Sequence, residues 1–137
     1  MVSAASRSLF FHTALELAEL TEALPASFNL GEKELQAILE KLSVYSLGLS
    51  RRNTDTKNLA GYREWNLIEL RWDFSDGADR TSVRLIGSEM SEISTVFLVW
   101  HVKNPLDDLE AQRFEQNQAC EKAIERMKSV DPSYYLR

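Results

Sequence analysis

The sequence predicts an α+β domain in which helices pack against an antiparallel sheet. Two observations predict this class. Apolar residues recur at helical spacing near both ends of the chain, and the pattern changes to period two between residues 65 and 102. A chain of 137 residues with 44% hydrophobic residues suits one domain with a buried core. We therefore expect a single domain over residues 1–137.

Two helices are predicted ahead of the sheet. The first runs from about Thr13 to Pro25, and the second begins after Asn29, which has capping-box spacing to Glu32. Their apolar stripes consist of Ala14, Leu17, Leu20 and Leu24 in the first and Leu35, Ile38, Leu39 and Leu42 in the second. The two helices are expected to form a hairpin. The preceding stretch, 8–11, fits either a strand or a lead into the first helix.

Three strands are predicted next. Residues 65–74 alternate, with Ile68, Leu70, Trp72 and Phe74 on one face and Leu67, Glu69, Arg71 and Asp73 on the other. A turn at 75–77 leads to a second strand over 81–86, and residues 87–91 suit another loop. Residues 94–102 are apolar on both faces, which is typical of a strand inside a sheet. The pattern predicts an antiparallel meander of three to four strands.

A last helix is predicted from Pro105 to Asp131–Pro132. Proline suits a first helical turn, where Asp107, Asp108 and Glu110 would favour the positive end of the helix dipole. The expected apolar side comprises Leu106, Leu109, Phe114, Ala119, Ala123, Ile124 and Met127.

Composition limits the possible functions. The net charge of −5 argues against a strongly electrostatic nucleic-acid binder. Basic residues are nevertheless concentrated in the middle, where residues 51–84 hold seven of them against six acidic ones. The chain has no membrane-length apolar run and no secretory signal pattern. Cys120, His12 and His101 have no metal-site spacing, so we expect a cytoplasmic protein without a metal or other cofactor.

Polar residues on otherwise apolar strands form the candidate site. They are Glu69, Arg71, Arg84, His101 and Lys103, and antiparallel pairing would bring them to one face of the sheet. Cleavage of RNA by its own 2′-hydroxyl needs a base, an acid and cations for the phosphate charge. His101 could be the acid or the base, the two arginines and Lys103 could supply positive charge, and Glu69 could be a base or hold Arg71.

Structural roles compete with this hypothesis at every position. Arg71 beside Glu69 can be an ordinary surface ion pair, and His101 and Lys103 can be solvated strand ends. The tryptophans Trp65, Trp72 and Trp100 suit the core better than base stacking. Cys120 suits packing. Spacing alone predicts an α+β domain of unspecified role.

The middle and end of the chain resemble the RelE/HigB toxin superfamily. Residues 58–62 followed by 66–71 are similar to its loop glycine and "E-L-R" strand, and Ser82-Val83-Arg84-Leu85-Ile86 is similar to its arginine strand. Residues 97–103 followed by 123–127 are similar to its last strand with a basic end and its closing "A-x-x-R" helix. The resemblance covers residues 15–128. It includes the order of helices ahead of the meander.

The resemblance implies a metal-independent endoribonuclease that cleaves mRNA, acts with the ribosome and is neutralised by an antitoxin protein. Arg84, His101 and Lys103 match catalytic positions, and we expect Arg63, Arg71 and Arg80 to bind RNA. The chain departs from the family pattern at Ser82, where tyrosine is usual, and at Asn104–Pro105. The alternative is a non-catalytic interaction module of this fold, such as an immunity or phage accessory protein, that binds through a sheet edge or the helical hairpin.

Overall fold

A five-stranded mixed sheet with helices on both faces organises the chain. The structure is a computed structural model that describes residues 6–25, 28, 30–49, 56–76, 79–103 and 108–130. Its elements in order are β1 (Ser8–Phe11), α1 (Leu17–Ala23), α2 (Glu32–Ser46), β2 (Thr56–Asn58), a 3₁₀ segment (Ala60–Trp65), β3 (Leu67–Asp76), β4 (Asp79–Ser91), β5 (Ser94–Lys103) and α3 (Leu109–Lys128). The α+β prediction is confirmed.

The strands lie in the order β1-β5-β4-β3-β2. The three long strands β3, β4 and β5 form the predicted antiparallel meander. β1 pairs in parallel with β5, so the stretch at Ser8 is a strand and not a helix lead-in. β2, a three-residue strand antiparallel to β3, was not predicted, because so short a strand carries too few residues to display a period of two.

Period-two alternation sends the two faces of the sheet to two separate cores. The face carrying Ile68, Leu70, Trp72 and Phe74 packs against α1 and α2, through Leu20, Ile38 and Tyr45 among others. The opposite face, which carries Leu67 and Ile86, packs against α3 through Ala119, Cys120, Ala123 and Met127. The predicted faces of β3 are therefore confirmed, and Cys120 is a buried packing residue as expected.

The loop predicted at 87–91 is wrong. β4 continues to Ser91, and a break in its register with β5 falls between Ile86 and Gly87. A Cβ at Gly87 would lie 2.7 Å from the Val96 carbonyl oxygen and 2.8 Å from Cδ1 of Phe97. Glycine stands here because two strands approach closely, and the sequence signal of a turn residue has the same cause in this strand bulge.

The helix ends also differ from the predictions. α2 is capped by Gly31, whose N–H donates to Glu34 Oε2 at 3.2 Å, and not by Asn29, which lies outside the described residues. α3 begins at Leu109 with Asp108 as its N-cap, while Pro105 and Asp131–Pro132 lie outside the described residues. The exposed fractions of Leu109 and Phe114 are 69% and 63%, so neither belongs to the apolar side expected for α3.

Side chains from α1 and α3 cover the outer edge of β5 where β1 ends. Arg126 donates to the Leu98 carbonyl at 2.7 Å and forms an ion pair with Glu19 at 2.5 Å. Glu19 in turn accepts from the Trp100 N–H at 3.4 Å. These bonds satisfy backbone groups that would otherwise form an open sheet edge. They also hold β5 between the two helical layers.

Candidate anion-binding site

The register of the meander places three basic side chains in one row. Arg71 of β3 lies opposite Arg84 of β4, and Arg84 lies opposite His101 of β5. Directly opposed residues have Cβ atoms about 4.5–5.5 Å apart, and like charges at that separation repel. All three face the layer of α3, since Glu69 and Ile86 form the next opposed pair on this face. The row is an electrostatic strain that an anion would relieve.

Two further charged residues flank the row, and α3 closes it. Lys103 follows His101 by two residues on β5, and Glu69 precedes Arg71 by two on β3, opposite Lys57 of β2. These residues line a cavity of about 60 Å³. The full lining is Lys57, Glu69, Arg71, Arg84, His101, Lys103, Gln112 and Gln116. We call it the basic pocket, because its lining holds four Lys or Arg side chains against the one carboxylate of Glu69.

The pocket exists because the apolar packing of α3 stops short of the helix start. The buried residues of α3 begin at Ala119, and its first two turns contribute the amides of Gln112 and Gln116 to the pocket. Glutamine side chains neither exclude water as leucine does nor compensate positive charge as glutamate does. The first half of α3 therefore covers the charged row without neutralising it.

Arg84 is the most enclosed cation of the pocket. Only 6% of the residue is exposed, and its Nη1 atom is buried without a hydrogen-bond partner among the described residues. The nearest carboxylate oxygen, Asp73 Oδ1, is 3.6 Å from Nη1, beyond hydrogen-bond distance, and accepts instead from Ser82 Oγ at 2.5 Å. Burial, together with the neighbouring Arg71, lowers the pKa of the Arg84 guanidinium. A buried, unsatisfied cation is costly and calls for an acceptor.

His101 is neutral in the free protein at pH 7. Burial, with the charges of Arg84 and Lys103 beside it, lowers the pKa of its imidazole to about 4. The sequence suggested either an acid or a base from the ordinary pKa of histidine near neutrality. In this environment the ring is a proton acceptor before an anion binds.

We expect the His101 imidazole to stay unprotonated down to about pH 4. NMR titration of the histidine ring signals measures this, with His101→Gln to assign the resonance. In the unfolded chain the pKa returns to about 6.5, so the unfolded chain binds more protons as pH falls from 6.5 to 4. The contribution of His101 to stability is complete above pH 6.5 and is lost through that window. A midpoint near 6.5 in the folded protein would contradict the described environment.

Other predicted site residues lie apart from the pocket. Arg80 is an exposed residue near the start of β4, four residues before Arg84 and outside the pocket lining. Arg63 lies in the 3₁₀ segment, and its side chain is outside what the structure describes. Trp72 is buried, whereas Trp65 and Trp100 are half-buried beside the two cores, which fits packing. Tyr134 and Tyr135 lie outside the described residues.

Three pocket residues were missed by sequence reasoning. Lys57 reaches the pocket through the unpredicted strand β2, and Gln112 and Gln116 reach it from a helix expected to be apolar on that side. The spacing of the two glutamines, four residues apart on α3, was the only available signal.

The comparisons with known proteins add no relative. No family model, no curated protein and no solved structure matches the chain. Within the described ranges, no three His, Cys, Asp or Glu side chains are grouped so that they could hold a metal ion. No helix in the described part of the chain is long and apolar enough to cross a membrane.

Proposed function

We propose that the chain is a RelE/HigB-like endoribonuclease that cleaves mRNA at the basic pocket. The observation that carries this proposal is the buried Nη1 of Arg84, which lacks a hydrogen-bond acceptor in a row with Arg71 and His101. A phosphate group supplies the missing acceptor and the missing negative charge together. Structural ion pairing does not account for Arg84, since Asp73 is 75% exposed and lies at 3.6 Å.

The size of the pocket suits a phosphate and not a nucleoside. Its volume of about 60 Å³ corresponds to roughly two waters at about 30 Å³ each. The bases would then remain outside, on the surface around Lys57 and Lys103. Because Nη1 is itself shielded, Gln112 and Gln116 must turn aside as the phosphate enters. Both are unbranched side chains with low barriers to such rotation.

The residues of the row divide the chemistry of 2′-hydroxyl attack. Arg84 and Arg71 hold the phosphate oxygens and stabilise the added charge of the transition state. Neutral His101 accepts the 2′-hydroxyl proton as the 2′-oxygen bonds to phosphorus. The bond from phosphorus to the 5′-oxygen breaks, and Lys103 donates a proton to that leaving oxygen. The products are a 2′,3′-cyclic phosphate and a 5′-hydroxyl.

The family resemblance supplies the biological setting of the proposal. It points to mRNA on the ribosome as substrate, to an antitoxin protein as inhibitor and to the cytoplasm as compartment. The acidic net charge of −5 agrees better with cleavage at one enclosed phosphate than with wrapping of a long RNA. Binding should accordingly depend only weakly on salt.

The alternative is a non-catalytic protein-interaction module with this fold. The exposed apolar residues of α2, among them Leu39 at 59% and Leu47 at 56%, favour an interaction surface. That surface lies on the other side of the sheet from the basic pocket, so the two hypotheses are tested by different variants.

Induced expression in bacteria and cleavage of a labelled oligoribonucleotide test the proposal. Wild type should arrest growth and release fragments ending in a 2′,3′-cyclic phosphate, with ribosomes added in one arm. An oligonucleotide with a single 2′-deoxy sugar is the matched control, since it lacks the nucleophile at one position and should resist cleavage there. Absence of growth arrest together with intact RNA in both arms rejects the nuclease proposal.

A further inference from the structure

The outward face of α2 exposes an apolar stripe that the fold itself does not cover. Leu39 is 59% exposed and Leu47 56%, and Leu49, just past the helix, is 63% exposed. The opposite face of α2 is buried through Ile38 and Tyr45. Leucines exposed on one side of a helix whose other side is already packed mark a surface for a partner.

The stripe has a symmetric arrangement about a small residue. Leu39 and Leu47 each lie four residues from Ser43, and four residues is the spacing of neighbours on one helix face. If two copies of α2 packed antiparallel with Ser43 at the two-fold axis, Leu39 of each copy would contact Leu47 of the other. This is the self-complementary pattern of a two-fold interface. The small Ser43 permits close approach at the centre.

Charges on α2 favour this antiparallel register. Glu40 and Lys33 flank the stripe. Parallel pairing would bring each of these charges beside its own copy, whereas antiparallel pairing about Ser43 brings Glu40 near Ser46 of the second copy. Antiparallel helix dipoles also attract. We propose that this face of α2 binds a second copy of the chain, forming a weak antiparallel dimer that leaves the basic pocket on the other face of each sheet free.

The interface is small, which fixes the expected strength. α2 has 15 residues, so it is about 22 Å long. One helix face on each side lies at the low end of specific interfaces, where association is transient. Sedimentation at increasing protein concentration should therefore show a reversible monomer–dimer equilibrium, and Leu39→Glu should weaken it at least about tenfold, because two carboxylates would be desolvated per dimer.

Disulfide crosslinking tests the register. Packed helices are about 8–10 Å apart, which brings facing Cα atoms within disulfide reach. Ser43→Cys should crosslink with itself under mild oxidation. Leu39→Cys alone should not, since its two copies are about 12 Å apart along the axis, whereas a mixture with Leu47→Cys should. Lys33→Cys is the matched control, with its copies about 30 Å apart. The buried Cys120 stays in every variant.

This pattern separates a second copy from other occupants of the stripe. Fast crosslinking of Ser43→Cys and of the Leu39→Cys with Leu47→Cys mixture, with slow crosslinking of the two others, is the expected result. Equal rates for all variants, or a wild-type chain that stays monomeric with no crosslink at Ser43→Cys, overturns the proposal and leaves the stripe to a different protein. Nuclease activity plays no part in either outcome.

Discussion

Replacing Arg84 with methionine is expected to lower RNA cleavage at least about 100-fold while raising the stability of the protein. The guanidinium is buried, faces Arg71 across the strands and leaves Nη1 without an acceptor. Methionine fills a similar volume without a charge, and such replacements of buried ions often stabilise by about 1–2 kcal/mol. Loss of activity combined with a gain of stability is typical of a residue kept for function. Single-turnover cleavage and urea denaturation measure the two effects.

The matched control for this variant is Arg113→Met. Arg113 is exposed on α3 and does not line the basic pocket. Its replacement should change neither cleavage nor the free energy of unfolding by more than about 0.5 kcal/mol. If Arg84→Met cleaves RNA as wild type does, the site is wrongly assigned. If it loses more than about 2 kcal/mol of stability, Arg84 is a structural residue.

The largest effect on stability alone is expected for Gly87→Ala. The added methyl would meet the Val96 carbonyl oxygen at 2.7 Å and Phe97 Cδ1 at 2.8 Å. Neither atom yields easily, because one belongs to the backbone of β5 and the other to a fully buried ring. Overpacking of this kind costs about 1–3 kcal/mol, and a backbone clash places this variant near the upper value. Chemical denaturation of the purified variant measures the loss.

Gly61→Ala provides the comparison for that glycine. A Cβ at Gly61 would meet nothing within 4 Å. Alanine there should leave stability unchanged or raise it by up to about 1 kcal/mol, since it restricts the unfolded chain. Similar stability of the two alanine variants would mean that β4 and β5 do not approach closely at Gly87.

The sequence predicted the parts of the fold that repeat. Alternation in β3 identified both faces correctly, down to Trp72 in one core and Glu69 on the opposite face. It failed where a single residue interrupts a pattern. Gly87 resembles a turn residue, yet it lies inside a strand, because the close approach of a neighbouring strand is a tertiary property that no local pattern carries.

The candidate site was predictable in its members more than in its environment. Arg71, Arg84, His101 and Lys103 do line one pocket, because period two and antiparallel pairing together place them there. The lowered pKa of His101 and the missing acceptor of Arg84 depend on burial beneath α3. Burial at that point follows from where α3 begins, which the sequence placed at Pro105.

Binding of an uncleavable RNA tests the central claim, that the row of Arg71, Arg84 and His101 is a phosphate site. An oligoribonucleotide with 2′-O-methyl sugars is titrated into the protein while NMR follows the His101 ring. A bound phosphate offsets the charges of Arg84 and Lys103, so the pKa of His101 should rise from about 4, and Arg84→Met should abolish the response to RNA. Binding that leaves the His101 titration unchanged, or that is equally strong in Arg84→Met, would contradict the claim.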